Sequence, residues 1–199
     1  MADLSALPRL LANGDWSAAE RVLRRAAAGR GASAAVFYNL AKVLEAQEKH
    51  TQRQTWLARA LSCDPNYGLA WYEMARVLVD AQALDGAEHA LGRAAHLLPN
   101  DADVALMLAQ IRLRAGNWLG ARQALGVFDS APEPPDRVDL LRYRIACELG
   151  EDATAQRQSL LARPHLRPSV LQALTRTGRG VLPLNITPHP EPSADVSAR

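Results

Sequence analysis

Lysine is nearly missing from this chain. Of 23 basic residues only Lys42 and Lys49 are lysines, and the arginines are interspersed with 21 acidic residues, for a net charge of +2. The densest basic cluster, Arg21, Arg24 and Arg25, reads as an ordinary solvated helix face. No basic stripe with interleaved aromatics marks a nucleic-acid binder. Aromatics are scarce at 5%. Cys63 and Cys147 stand alone, without CxxC spacing, and read as buried reduced thiols. No apolar run approaches the roughly 18 residues that a membrane span requires. The opening "MADLSALPRLLANGDW" has neither the basic start nor the continuous apolar core of a signal peptide. The glycine-rich phosphate loop, GxSxG and HExxH are all missing. His89 and His96 lie seven residues apart, too far along one helix to share a metal without further ligands. These absences predict a cytoplasmic protein that is not an enzyme, holds no metal or cofactor, and binds neither nucleic acid nor membrane. Scarce lysine beside abundant alanine and arginine points to a bacterial source.

What is present is alanine, leucine and repetition. Hydrophobic residues make up 48%. Ala and Leu dominate over β-branched residues, which favours helices because these side chains lose little rotamer freedom there. "VFYNLAKVL" at 36–44 returns as "AWYEMARVL" at 70–78: Tyr38 as Tyr72, Ala41 as Ala75, Val43 as Val77 and Leu44 as Leu78. Phe37, Leu40 and Lys42 are replaced in kind by Trp71, Met74 and Arg76. "ARALSCDPN" (58–66) and "GRAAHLLPN" (92–100) repeat Arg59, Ala60, Pro65 and Asn66 as Arg93, Ala94, Pro99 and Asn100, again 34 residues on. Such a period means stacked units, each of two amphipathic helices closed by a proline that stops the second.

The pattern resembles the tetratricopeptide repeat, a helix–turn–helix unit. In 68–101 the resemblance rests on Trp71, Met74–Ala75, Leu78, Ala87, Leu91, Ala94 and Pro99. In 34–67 it rests on Phe37, Leu40–Ala41, Leu44, Leu57, Ala60 and Pro65, and in 102–132 on Leu108–Ala109, Gly116, Trp118, Ala121 and Leu125. Gly14, Trp16, Ala19 and Leu23 repeat a turn and second helix, so 1–33 reads as a partial first copy. Gly150 and Ala155 make 133–164 a degenerate fifth. The resemblance implies an all-α, right-handed helical solenoid of about five helix pairs, each stabilised by its neighbours. Ala41, Ala75 and Ala109, facing Ala87 or Ala121, would let paired helices approach closely. Trp16, Trp71 and Trp118 read as core.

Three departures carry expectations of their own. Arg53 stands where the second copy should have a small residue, which predicts that its helix pair splays or shifts register. Phe128 replaces another small residue, and the closing Pro132 comes one residue early. "SAPEPPD" (130–136) reads as an inserted proline-rich joint, a place for a hinge or a change of superhelical direction. At 165–178, Pro168 suits a first turn and Val170, Leu171 and Leu174 share a face, predicting a capping helix stopped by Gly178 and Gly180. The remainder, 179–199, has four prolines and reads as a flexible tail. Val181, Leu182, Leu184 and Ile186 could alternatively dock in the protein's own groove.

The resemblance places function on a concave groove lined by the first helix of each copy, which holds an extended peptide or a partner's helix. Carried over, that face comprises Tyr38, Asn39, Lys42 and Glu45, then Tyr72, Glu73, Arg76 and Asp80, then Leu106, Met107, Gln110 and Arg114. The two tyrosines would grip a chain, with Lys42, Arg76 and Arg114 as a basic rail beside it. The carboxylate clamp by which some family members hold chaperone C-termini is not matched. Asn39 fits it, but Leu69 and Glu73 stand where cations belong. The expectation is a non-enzymatic adaptor or scaffold for a protein partner. Two alternatives stay open: a secretion-type or assembly chaperone holding a client, and an accessory subunit of an enzyme complex that makes contact through its convex face or tail.

Overall fold

The computed structural model describes residues 4–176, and every regular element among them is a helix. α1 (Leu7–Ala12) and α2 (Trp16–Ala28) form the first pair, and α3 (Ala34–Ala46) and α4 (His50–Cys63) the second. α5 (Gly68–Asp80) and α6 (Leu84–Leu97) form the third, α7 (Ala102–Arg114) and α8 (Trp118–Ala124) the fourth. α9 (Asp136–Leu149) and α10 (Thr154–Leu161) follow, and α11 (Arg167–Arg176) closes the right-handed solenoid. The predicted tail, 179–199, lies outside the described residues.

The turn inside each pair keeps the period most strictly. Gly14, Glu48, Gln82, Gly116 and Gly150 recur every 34 residues, all with left-handed backbone at φ between 57° and 78°. Glycine adopts this conformation without a Cβ clash, whereas Glu48 and Gln82 do so at roughly 1–2 kcal/mol each. The next residue can cap the second helix. Asp15 accepts from the Ala18 N–H at 3.0 Å, and Asn117 from the Gly120 N–H at 2.9 Å. Lys49 and Ala83, in the same place in the middle copies, provide no side-chain cap.

Because Gly116 and Gly150 keep this spacing, the proline-rich segment replaces the end of a helix and inserts nothing. α8 gives way after seven residues to a 3₁₀ turn, Leu125–Phe128. That tighter turn swings Leu125 and Phe128 onto Val138, Leu141 and Ile145 of α9, so one apolar core runs across the joint.

Close helix approach follows from small residues. Ala41, Ala75 and Ala109 on first helices are wholly buried, as are Ala19, Ala87 and Ala121 on second helices. Arg53 replaces one of these alanines and is itself only 3% exposed. The α3–α4 pair nevertheless does not splay, since Leu40, Ala41, Leu44, Leu57 and Ala60 stay wholly buried. The guanidinium instead reaches carboxylates on α3 and α5.

The fifth unit departs for a related reason. Tyr143 of α9 takes the place of Ala41, Ala75 and Ala109, and is 1% exposed. Its ring holds the second helix off: α10 has only eight residues, and Ala155, successor to Ala121, is exposed. Leu166 and, on α11, Val170 and Ala173 fill the space against Tyr143 and Leu160. Burial, and then the Cys147 thiol beside it, push the Tyr143 phenol up to about 12.

Two expectations about burial are corrected. Trp16 is 36% exposed, because the six-residue α1 leaves it partly uncovered, and Trp71 and Trp118 are half-buried. Trp71 Nε1 donates to the Pro65 carbonyl at 2.8 Å. Cys63 is exposed and Cys147 half-buried, both as free thiols.

Candidate functional site

The first helices α3, α5, α7 and α9 lie side by side. Ion pairs join α3 to α5, Tyr72 and Met107 share an apolar cluster across α5 and α7, and one cleft lies between α7 and α9. The period sorts corresponding positions on these helices into rows: Tyr38, Tyr72, Leu106, Leu140; Asn39, Glu73, Met107, Leu141; Lys42, Arg76, Gln110, Arg144. Tyr38 is half-buried and meets Tyr67 edge-on, with ring centroids 5.2 Å apart. Asn39, Tyr72, Leu106 and Gln110 are half-buried, and Arg114 is exposed. Burial raises both tyrosine phenols above their ordinary values, helped by Glu73 at Tyr38 and by Asp103 at Tyr72.

Glu73 lies beneath this surface and not on it, at 5% exposure. Its carboxylate accepts from Lys42 at 2.8 Å, Arg53 at 2.5 Å and Arg76 at 2.9 Å. Glu45 beside it pairs with Lys42, and with Arg53 and Arg76 at 3.1 Å each. Burial pushes the Glu73 carboxyl up, but the Lys42 hydrogen bond and the charges of Lys42 and Arg76 outweigh it, holding the group below the usual carboxylate range. Burial likewise works against the Lys42 charge, and hydrogen bonds to Glu45 and Glu73 overcome it. The expected basic rail is therefore interrupted. Lys42 and Arg76 pair with carboxylates of the chain itself, and among the described residues Arg114 does not. Arg53 was missed by motif reading, which saw only a misfit. Its signal is the register: the residues equivalent to Arg53 and Glu73 one copy later are Ala87 and Met107, an apolar pair.

Beyond Tyr72 the face changes character. An open cleft of about 670 Å³ lies between the α5–α6 turn, α7 and α9. Gln82, Leu84, Gln110 and Arg114 line one side, with Arg137, Leu140, Leu141 and Arg144 of α9 on the other, and no carboxylate lines it. Gln110 and Arg114 were legible as face residues. The α9 contribution was not, because the fifth copy is degenerate; counting 34 from Leu106 and Gln110 finds Leu140 and Arg144.

Among the described residues no group of three or more His, Cys, Asp or Glu could hold a metal ion, and no helix is long and apolar enough to cross a membrane. His89 rests edge-on against Trp71, and His96 is exposed.

Helix pairs that turn on a left-handed residue every 34 positions define a repeat solenoid, in which each unit contacts its neighbours and leaves an extended surface for binding. The tetratricopeptide repeat pattern matches residues 5–68 and 72–132, more than half of the chain, and the chain belongs to that family of protein-interaction modules. Among solved structures it is similar to PilF of Pseudomonas aeruginosa, at 20% identity and a TM-score of 0.67, over 87% of this chain and 79% of that one. It is also similar to MamA from Desulfovibrio magneticus, at 18% identity and a TM-score of 0.64, over 88% and 94% of the two chains. A tetratricopeptide repeat protein from Parabacteroides merdae matches at 15% identity and a TM-score of 0.72, over 88% and 72%. At these identities the likeness is one of fold. No curated protein sequence matches the chain.

Proposed function

We propose that this chain is a non-enzymatic adaptor that holds an extended segment of a protein partner along its first helices. Tyr38, Asn39, Lys42, Tyr72, Arg76, Leu106, Gln110 and Arg114 would make the contact, and buried Glu73 would hold Lys42 and Arg76 in place. The observation that supports this reading is the row of half-buried Tyr38, Tyr72 and Leu106 at one-repeat intervals. Each offers apolar surface beside an amide or a charge, the mixture that anchors protein interfaces. Fixing Lys42 and Arg76 beforehand lowers the ordering cost of association.

The test is affinity capture in the native host with the full-length chain, followed by mass spectrometry. One arm carries Tyr38→Ala, Tyr72→Ala and Gln110→Ala together, another Leu119→Ala, which is 68% exposed on α8. Helicity and melting are checked for both. The expected result is a partner lost only from the triple variant while that variant remains folded. Equal recovery by both would contradict the reading and move the contact to the second helices or the tail, as an accessory subunit requires. A partner that is unstable without this chain would assign the chaperone role instead.

A further inference from the structure

The two halves of the first-helix face differ in how their cations are compensated. In the first half, Lys42 and Arg76 already contact half-buried Glu45 and buried Glu73, so an incoming carboxylate would have to compete with groups of the same charge. In the second half the positions of those two acids are taken by Leu113 and Leu141, and the α7–α9 cleft contains arginines with no carboxylate in its lining.

We propose that this cleft binds an acidic segment of a partner protein in which carboxylates alternate with leucine-like side chains. The proposal rests on the adaptor reading and names the chemistry of the partner and the part of the face that recognises it. Arg114 and Arg137 are exposed at the rim, and neither forms an ion pair among the described residues. Arg144 lines the same wall and is engaged in an interaction of its own. Leu84 and Leu140 are half-buried and Leu141 is buried, giving an apolar floor between the arginines. Guanidinium groups take carboxylates in a bidentate fork, and an apolar floor rewards a partner that also buries aliphatic surface. The volume of about 670 Å³ falls within the range of side-chain and ligand pockets. No aromatic side chain lines the cleft to stack a nucleobase, so the same charge favours a peptide over single-stranded RNA.

The experiment is fluorescence anisotropy on the full-length chain with three probes: a short labelled peptide alternating Asp with Leu, its Asn-for-Asp twin, and a single-stranded RNA. The acidic peptide is expected to bind about tenfold more tightly than the twin and to weaken as salt rises. Arg114→Ser with Arg137→Ser should reduce it to the level of the twin without changing helicity or melting, since both side chains are exposed. Arg21→Ser, at an exposed arginine of α2 outside the first-helix face, should leave peptide affinity unchanged. Equal binding of the two peptides, absence of binding, an unaffected double variant, or preference for RNA would each overturn the proposal. The two levels of inference separate in the capture experiment. A partner lost from the Tyr38→Ala/Tyr72→Ala/Gln110→Ala protein but kept by the double arginine variant leaves the adaptor standing and removes the acidic cleft.

Discussion

Arg53 breaks the rule of a small residue on the second helix, and the compensation lies 20 residues on, at Glu73. At the other unit boundaries the equivalent pairs are Ala19 with Asn39, Ala87 with Met107 and Ala121 with Leu141. Glu73→Met alone leaves a buried guanidinium short of a partner and should cost about 3 kcal/mol in urea denaturation. Adding Arg53→Ala recreates the pair of the next copy and should bring stability back to within about 1 kcal/mol of the parent. Acid is predicted to act through the same kind of group. Burial pushes Glu20 up, but hydrogen bonds from Lys49 and Arg24 hold it at about 2, against a usual value of 4.5. A carboxyl lowered in the folded state contributes stability above its unfolded value and loses it as pH falls toward the folded one. Stability should therefore decline between pH 4.5 and about 2. Glu20→Gln should flatten that slope and lower stability at neutral pH, both read from urea titrations across the range. Residue by residue, the sequence announces Arg53 only as an exception; its meaning needs the neighbour in the next copy.

At the scale of the element, the helix pairs were legible because three copies share both period and small-residue positions. α1 was not, since six residues are too few to display an amphipathic period. The 3₁₀ ending of α8 was hidden too, because Phe128 is drawn inward by Val138 and Leu141, contacts that no local pattern contains. The turns give direct predictions. Glu48 has φ 58° where three of the other four copies have glycine, so Glu48→Gly should stabilise the chain by about 0.5–1 kcal/mol in thermal denaturation. Ala83→Asn should add the cap present at Asp15 and Asn117, worth about 1 kcal/mol. Gly116→Ala, at φ 78°, should cost about 1–2 kcal/mol. In the fifth unit the buried Tyr143 hydroxyl has, among the described residues, no partner stronger than the Cys147 thiol, so Tyr143→Phe should be neutral or stabilising. Tyr143→Ala should open a cavity costing about 3–5 kcal/mol.

For the whole molecule, the strict spacing of the turns keeps the first helices aligned from α3 to α9 and so makes one continuous face. The family could be read from the sequence, because it follows from the period. The electrostatics of that face could not. Whether Lys42 and Arg76 are available depends on how deeply Glu73 is buried and on where Arg53 reaches, both consequences of packing between units. The account's central claim is that a protein partner contacts the first-helix face. The most direct measurement places p-benzoyl-phenylalanine in turn at Tyr72, Leu106 and Leu119 in the native host, followed by irradiation and identification of the crosslinked protein. The account predicts the same partner crosslinked from positions 72 and 106 and none from 119. A crosslink formed from Leu119 and from neither of the other two would contradict it.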